Sequence, residues 1–345
     1  MREKRRQRQT LGRNVVKFFR QGLTSRISRA SLVVVFSCCI SVWLSDSAPK
    51  GVKAVADVLF ESAESIAIIS AAILFFLEIP DRRKRDHYEA WQVINSSVQQ
   101  SGSGGRIQAM QDLNQDGVEL EGIYAPLADL SAINLSEGRL TRANFAGAQL
   151  DLATLRDAYL VDANLSEANL VKADLTRSEL WSAELENANL QEANLEDANL
   201  SKANLTNAYI WKGKLKRADL ASAILNNATL WAADMQGTDM RKAELEGTNF
   251  YQAQLQGAKL NEAVMKNANL KEANLEGASL CDINLEGVNF QSANFKGTML
   301  RGSNLSKAQN LTEQQLSEAV LYDVVLPMHI KLNPDRDRQK FNSNK

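Results

Sequence analysis

Few side chains in this sequence have the types and spacing that chemistry at a site requires. The 345 residues include three cysteines, Cys38, Cys39 and Cys281, and two histidines, His87 and His329. These numbers are too small for a disulfide framework or for a Cys/His zinc site. Acidic residues are plentiful, but they recur as polar members of a repeating array with no histidine nearby. We therefore expect no catalytic residues, no cofactor and no metal ion.

One stretch resembles the first half of a calcium-binding EF-hand loop. Its twelfth position is Ile123, where the bidentate glutamate should stand, so a helix end followed by an Asp-Gly turn is the favoured interpretation. The preceding SGSGG segment, residues 101–105, has no Lys-Ser/Thr pair after it, so it predicts a hinge and not a phosphate-binding loop. The residues that match the EF-hand pattern are Asp112, Asn114, Asp116 and Gly117.

The net charge of −1 conceals a strong asymmetry. Residues 1–29 hold ten lysines and arginines against Glu3 alone, a charge of +9, whereas residues 121–310 sum to −6. A basic arm beside an apolar segment is typical of the cytoplasmic side of a membrane, because Lys and Arg resist translocation. Nucleic acid is the competing partner for such an arm and is the less favoured one.

Two apolar stretches follow this arm and predict a membrane hairpin. Residues 30–45 and 65–77 are uncharged and cover about 24 and 20 Å as helices, which is short of the roughly 30 Å hydrocarbon core. The second can extend to Ile79, where Pro80 should end the helix. With the basic cluster DRRKRD after it, the pattern predicts a two-helix transmembrane hairpin over residues 30–80 with both ends cytoplasmic.

Other interpretations of this region stay open. They are a cleaved signal peptide, an organellar transit peptide, and a soluble arrangement that buries both stretches against the protein. Asp57, Glu61 and Glu64 line one face of the second helix, which would suggest an ion path inside a membrane, although a position at the far interface is favoured. Residues 81–117 should form a helical connector with one short helix over residues 83–97 and another over the RIQAMQDL segment.

The rest of the chain follows a period of five residues. From Leu130 to Leu305 every residue whose number is a multiple of five is Leu, Phe, Ile or Met, 36 positions in all, and most have Ala two residues earlier. This period fits neither a helix nor a strand alone, but it fits a short strand piece and a turn in each unit. Both positions would then point inward, and stacked coils would pair their backbone groups with the coils above and below.

The turn residues indicate how many sides each coil has. In the series 147–297, 13 of 16 residues are Gly, Asn or Asp, whereas the interleaved series 142–292 has only Asp162 and Asp282 of these types. Gly and Asn favour positive φ. We therefore predict that corners alternate in type, with positive φ in the first series and not at residues such as Lys242, and that four units make a coil. The 36 units then form about nine coils, roughly 43 Å long.

The A(N/D)LXX units, among them ANLSE, ANLVK and ADLTR, resemble the pentapeptide-repeat family. The resemblance covers residues 118–310 and implies a right-handed quadrilateral β-helix, so the expected fold class is β with an α-helical hairpin in front. After Asn310 the period slips by one residue. A capping box at Thr312 and Gln315 predicts a helix over residues 313–321 that covers the open end of the rod, within a last segment, 311–345, whose polar tail should be disordered.

The favoured function is that of a non-catalytic, membrane-tethered scaffold or adaptor that holds a rigid rod in the cytoplasm for an unknown protein partner. The family resemblance implies one alternative, a DNA mimic that inhibits a DNA topoisomerase. Residues 161–200 carry nine acids against two bases, which fits DNA mimicry. The basic residues that recur from there to the C-terminus do not fit it, beginning with Lys212, Lys214, Lys216 and Arg217. An accessory subunit of a membrane transporter is the third interpretation.

The predicted binding surface is a column of aromatic residues with a basic rim. Its rings are 20 residues apart and each follows a core residue, so a four-sided coil should stack them on one side, while Trp181 falls on the opposite side. Exposed aromatics with a basic rim are typical of interface centres. Alternatively, the rings shield the strand ladder, or receive the C-terminal tail or a second copy of the chain. The surface consists of Trp211, Trp231, Tyr251, Lys212 and Lys214.

Overall fold

The computed structural model describes residues 63–96, 103 and 105–339. The chain divides into two units, Met1–Tyr88 and Glu89–Lys345. The basic arm and the first apolar stretch lie outside the described residues. The named elements are α1 (Ala63–Ser96), α2 (Arg106–Gln115), β1 (Met299–Arg301), α3 (Glu313–Ser317) and β2 (Val320–Tyr322).

Between α2 and β1 the chain forms a four-sided β-helix. Single parallel bridges join residues 20 positions apart, such as Asn164 with Glu184 and Asn169 with Asn189. Each bridge is flanked by backbone hydrogen bonds between coils, as where the N–H of Leu165 lies 2.7 Å from the carbonyl oxygen of Glu184. The predicted 20-residue coil is confirmed, because the bridges recur every five residues and each connects to the next coil.

The interior is a continuous apolar column. The residues at multiples of five and the small residues two before them are buried throughout the rod. Polar substitutes in the small position are satisfied by backbone: the hydroxyls of Thr248 and Thr298 donate to the carbonyl oxygens of Leu225 and Leu275, each at 2.8 Å. A period of five therefore reflects two inward positions on each side of the coil.

From Gly122 to Gly302 the second residue of every corner has a positive φ, so the predicted alternation of corner types is wrong. Gly257 has a φ of 66°, as predicted, but Lys242 and Gln252 have φ values of 61° and 57°. Most corners are closed by one hydrogen bond, as from the N–H of Ala253 to the carbonyl oxygen of Phe250 at 2.9 Å. All four corners must bend the chain in the same sense to close a coil, so each needs this conformation. The Gly, Asn and Asp bias marks where the conformation costs least, not where it occurs.

Helix α2 covers the N-terminal end of the rod. Leu113 is fully buried, and the side-chain amide of Asn114 donates to the carbonyl oxygen of Ser136 at 2.9 Å. The helix ends at Gln115 and is followed by Gly117 with a φ of 70°, which confirms the predicted helix end and turn. The Asn114 side chain therefore replaces one hydrogen bond that a preceding coil would have made.

Helix α1 runs for 34 residues without a break at Pro80, contrary to the prediction that this proline ends it. The separate helix predicted over residues 83–97 is the continuation of α1. Proline removes one helical hydrogen bond, but strong helix formers on both sides allow the helix to resume. In the second unit, Ile94 is fully buried in the core, and Trp91 packs beside it.

The described helices do not supply the predicted membrane hairpin. Neither α1 nor any other helix within the described ranges has the length and apolar character needed to cross a membrane. Asp57 and Glu61, two of the three acids considered for an ion path, lie outside the described residues. Glu64 is exposed in the first turn of α1.

The C-terminal cap begins as predicted and then differs. The Thr312 hydroxyl accepts from the N–H of Gln315 at 3.2 Å, and the Gln315 side chain accepts from the N–H of Thr312 at 3.0 Å, which confirms the capping box. However, α3 ends at Ser317 and not at Leu321. Leu321 instead lies in β2, opposite Leu300 of β1, because returning to the ladder satisfies backbone groups that a longer helix would leave at the rod edge.

The tail is also ordered as far as the structure describes it, so the prediction of a disordered tail is wrong for residues 331–339. Asp337 is buried, and its carboxylate accepts from the N–H of Leu321 at 3.1 Å. The N–H of Asp337 donates to the carbonyl oxygen of Leu321 at 2.9 Å. The tail thus pairs with the outer edge of β2 and closes this side of the rod.

Candidate functional site

Three aromatic side chains stack along one corner of the rod. Trp211, Trp231 and Tyr251 are the first turn residues of successive coils, so the 20-residue coil places them above one another. Their ring centroids are 6.0 and 5.8 Å apart, with the ring planes tilted by 47° and 38°. The Trp231 side chain is 39% exposed. We call this column the aromatic corner.

Two lysines lie over the outer rings of the aromatic corner. The Nζ atom of Lys212 is 4.6 Å from the Trp211 ring centroid, and that of Lys271 is 5.9 Å from the Tyr251 ring centroid. Both distances allow cation–π attraction. Lys271 was not among the residues predicted from the sequence, although its position, 20 residues after Tyr251, would have identified it. Lys214 is exposed on the next side of the coil, where it forms backbone bridges to Asn194 and Asp234.

Polar groups beside the rings form a short hydrogen-bonded chain. The indole N–H of Trp231 donates to Oε1 of Gln252 at 3.3 Å, and the Gln252 amide donates to Glu272 at 2.9 Å. Burial of the phenol and the adjacent Glu272 carboxylate raise the pKa of Tyr251. The buried indole N–H of Trp211 has no hydrogen-bond partner in the part of the chain that the structure describes.

The opposite corner carries a single tryptophan. Trp181 is 38% exposed, and the Nζ atom of Lys202 lies 5.2 Å from its ring centroid. Trp181 and Trp211 are 30 residues apart, one and a half coils, so they lie on opposite corners as predicted. Trp181 has no aromatic neighbour stacked on it among the described residues, and it therefore provides a matched comparison for the aromatic corner.

Another corner carries alternating charges that pair along the rod. Arg177 donates two hydrogen bonds to Asp157 at 2.7 and 2.6 Å, and Arg217 does the same to Asp197. These guanidinium groups hold the pKa values of Asp157 and Asp197 below their usual range. Beyond Arg217 the same corner continues as glycines, Gly237, Gly257, Gly277 and Gly297.

Two surface hollows lie near the two ends of the described rod. One, of about 430 Å³, lies between α3 and the last coil and is lined mainly by amides and hydroxyls such as Gln291 and Gln315. A second, of about 330 Å³, lies at the first coils beside Glu119 and Arg139, which pair with each other at 2.6 Å. Within the described ranges there is no group of three or more His, Cys, Asp or Glu that could hold a metal ion.

The rod matches one family model and several solved structures. A family model described as Pentapeptide repeats matches in eight copies between residues 128 and 307. HetL, a pentapeptide repeat protein involved in heterocyst differentiation regulation from the cyanobacterium Nostoc sp. strain PCC 7120, is similar at 32% identity. That match covers 55% of this chain and 88% of HetL, with a TM-score of 0.37.

Two further solved structures are similar at lower identity. The plasmid-mediated fluoroquinolone resistance protein QnrB1, at full length, is 20% identical over 56% of this chain and 85% of its own, with a TM-score of 0.33. A pentapeptide repeat protein from the Arabidopsis thaliana thylakoid lumen is 20% identical over 37% and 86%, with a TM-score of 0.26. No match was found among curated proteins.

Proposed function

The chain belongs to the pentapeptide-repeat family, and on this premise we propose that it is a non-catalytic scaffold, tethered to a membrane through residues 30–80, that presents its β-helix to a protein partner in the cytoplasm. The membrane part rests on the two apolar stretches and on the basic clusters before and after them. The scaffold part rests on the surface of the rod.

The aromatic corner is the observation that carries this proposal. Most outward positions of the rod are polar, yet three aromatic rings share one corner and Trp231 is 39% exposed. Exposed aromatic side chains flanked by cations favour a protein interface, because they bury a large apolar area at a small cost in conformational entropy. The corner charges support a protein partner over DNA mimicry, since Asp157 and Asp197 are each neutralised by an arginine.

Membrane attachment is tested by fractionation followed by protease treatment of sealed, right-side-out vesicles. We expect the full-length chain in the membrane fraction, with the rod protected until the vesicles are opened. Recovery of the full-length chain in the soluble fraction, or digestion of the rod from outside sealed vesicles, would contradict this part of the proposal.

Partner binding is tested with a variant of the full-length chain that carries Trp211→Ser and Trp231→Ser. We expect it to fold, because both rings project outward, and to lose the partner that the wild-type chain retains in a pull-down. Trp181→Ser is the matched control, since this ring is equally exposed on the opposite corner. If the double variant unfolds, or if Trp181→Ser loses the same partner, the rings of the aromatic corner are structural and the binding site is wrong.

A further inference from the structure

We propose that the partner at the aromatic corner is a second copy of this chain, packed antiparallel against one side of the rod. This inference rests on the proposed function, because it names the partner of the same site. The contact surface is the side between the aromatic corner and the glycine corner, which we call the banded face. It comprises residues 192–196, 212–216, 232–236, 252–256, 272–276 and 292–296.

Charge on the banded face changes from coil to coil. One coil presents an acidic band, the next a band of three lysines, two coils then carry little charge, and an acidic band and a single lysine follow. The outward residues in this order are Glu192, Asn194 and Glu196; Lys212, Lys214 and Lys216; Ala232, Asp234 and Gln236; Gln252, Gln254 and Gln256; Glu272, Asn274 and Glu276; and Ser292, Asn294 and Lys296.

These bands are self-complementary about a two-fold axis. The axis lies in the contact plane, perpendicular to the rod, between the coil of Asp234 and the coil of Gln254. It brings Lys212 of one copy opposite Glu272 of the other, and Lys216 opposite Glu276. Because a two-fold contact occurs twice, each such pair forms on both halves of the interface. Outside these, the same operation brings Glu196 opposite Lys296, which makes three kinds of ion pair and no like-charged pair.

The two borders of the banded face fit the same arrangement. On the aromatic corner, Trp231 meets Tyr251 of the second copy, and Trp211 meets Lys271, so an aromatic pair and a cation–π pair replace exposed rings. On the other border, Gly237 meets Gly257 of the second copy, and Gly277 and Gly297 lie opposite Arg217 and Asp197. A Cβ atom added at Gly257 or Gly277 would find no atom within 4 Å, so the glycine part of this corner leaves room for side chains of the second copy.

Other arrangements do not satisfy the charges. Parallel packing of the banded face brings each coil against the same coil, so Lys212 would face Lys216 of the second copy. On the side of the rod diametrically across, the equivalent two-fold axis brings Glu186 opposite Glu286, which is a like-charged pair. Like charges in contact oppose association, so these two arrangements are disfavoured.

The test uses sedimentation equilibrium of the full-length chain with two charge-reversed variants. One carries Lys212→Glu and Lys216→Glu, and the other carries Glu272→Lys and Glu276→Lys. We expect wild type to dimerise with a dissociation constant that rises about tenfold between roughly 50 and 500 mM salt. Each variant alone should be monomeric where wild type is a dimer, and an equimolar mixture should restore a heterodimer, because opposite charges then face each other at both pairs.

Two further double variants distinguish loss of the interface from loss of the fold. The control pair Lys202→Glu and Glu262→Lys, on the opposite corner and equally three coils apart, should leave the dimer intact. Gly257→Lys combined with Gly277→Lys should abolish the dimer without a loss of the folded state, since lysine already occupies the corner conformation at Lys242, with a φ of 61°.

Two results would overturn the inference: a monomeric wild type at all concentrations, or a mixture of folded charge-reversed variants that stays monomeric. If either occurs while Trp211→Ser with Trp231→Ser still loses another captured protein, the inference alone fails and the proposed function stands. If that tryptophan variant loses nothing, the proposed function itself fails.

Discussion

At the residue scale, the second residue of each corner bears the main conformational cost of this fold. Outside glycine, these corner residues between 127 and 292 have φ values of 53° to 61°, a region that is strained for L-residues and most strained for β-branched ones. This backbone strain persists because one corner conformation closes every coil and keeps all coils in register.

This predicts that valine destabilises both series of corners. Gly257→Val should lower the free energy of unfolding by about 1–3 kcal/mol, because the added Cβ meets no atom within 4 Å and only the backbone conformation is penalised. Lys242→Val should also destabilise, by about 1 kcal/mol, since its φ is equally positive. Chemical denaturation of each variant measures the effect.

Lys266→Val is the control for this prediction, because residue 266 is a first turn residue without positive φ, like the natural Val171. It should have little effect on stability. A cost for Lys242→Val no greater than that of Lys266→Val would mean that corner conformation does not set these energies.

The paired aspartates give the stability a defined pH dependence. The Arg217 guanidinium lowers the pKa of Asp197 in the folded chain. The pair therefore stabilises the fold above the ordinary aspartate pKa of about 3.9, and this contribution is lost as pH falls through the lowered pKa. Arg217→Gln should reduce the melting temperature at about pH 6 and leave it unchanged near pH 2, where the carboxylate is protonated.

Lys202→Gln is the control, because Lys202 lies over the Trp181 ring and not beside a bonded carboxylate. The difference in melting temperature between this variant and wild type should therefore not shrink at low pH. A melting-temperature difference for Arg217→Gln that persists undiminished at low pH would assign the effect to packing of the arginine stem.

At the element scale, side chains at the two ends of the rod replace hydrogen bonds that a further coil would make. Asn114 does this at the first coil and Asp337 at the last. Asp337→Ala should destabilise the C-terminal cap by about 1–3 kcal/mol, because it leaves the N–H of Leu321 buried without a partner. Hydrogen exchange should show faster exchange of β2 amides while the central coils keep their protection.

Asp335→Ala is the comparison, since Asp335 is exposed and its bond, from the N–H of Asp323 at 2.9 Å, can be replaced by water. Equal acceleration of β2 exchange in the two variants would mean that burial of the Asp337 carboxylate is not what secures the cap.

Some elements could be predicted from the sequence, and others could not. The coil and the stacking of Trp211, Trp231 and Tyr251 were predictable, because the repeat length alone fixes which residues lie above one another. The tail was not, because its order depends on the pairing of Asp337 with Leu321, which no local pattern encodes. Pro80 was misjudged because a proline inside a helix costs one hydrogen bond and a steric adjustment, which flanking helix formers can offset.

At the scale of the whole molecule, the rod acts as a rigid support that holds surface residues at fixed spacing over about 43 Å. Its interior is apolar, and many of its outward charges pair between coils, including Lys216 with Asp234 and Lys296 with Glu276 on the banded face. Because their positions follow from the coil repeat, a partner that repeats in the same way, such as a second copy of the chain, can match several coils at once.

Site-specific photocrosslinking tests the central claim most directly. A photoreactive phenylalanine analogue replaces Tyr251 in one variant and Tyr159 in the other; Tyr159 is 51% exposed and lies beside the opposite corner. We predict an adduct from position 251 at twice the mass of the chain, mapped to the segment around Trp231, and none from position 159. Equal adducts from the two positions, or none from 251, would contradict binding through the aromatic corner, and an adduct from 251 with a different protein alone would contradict self-association.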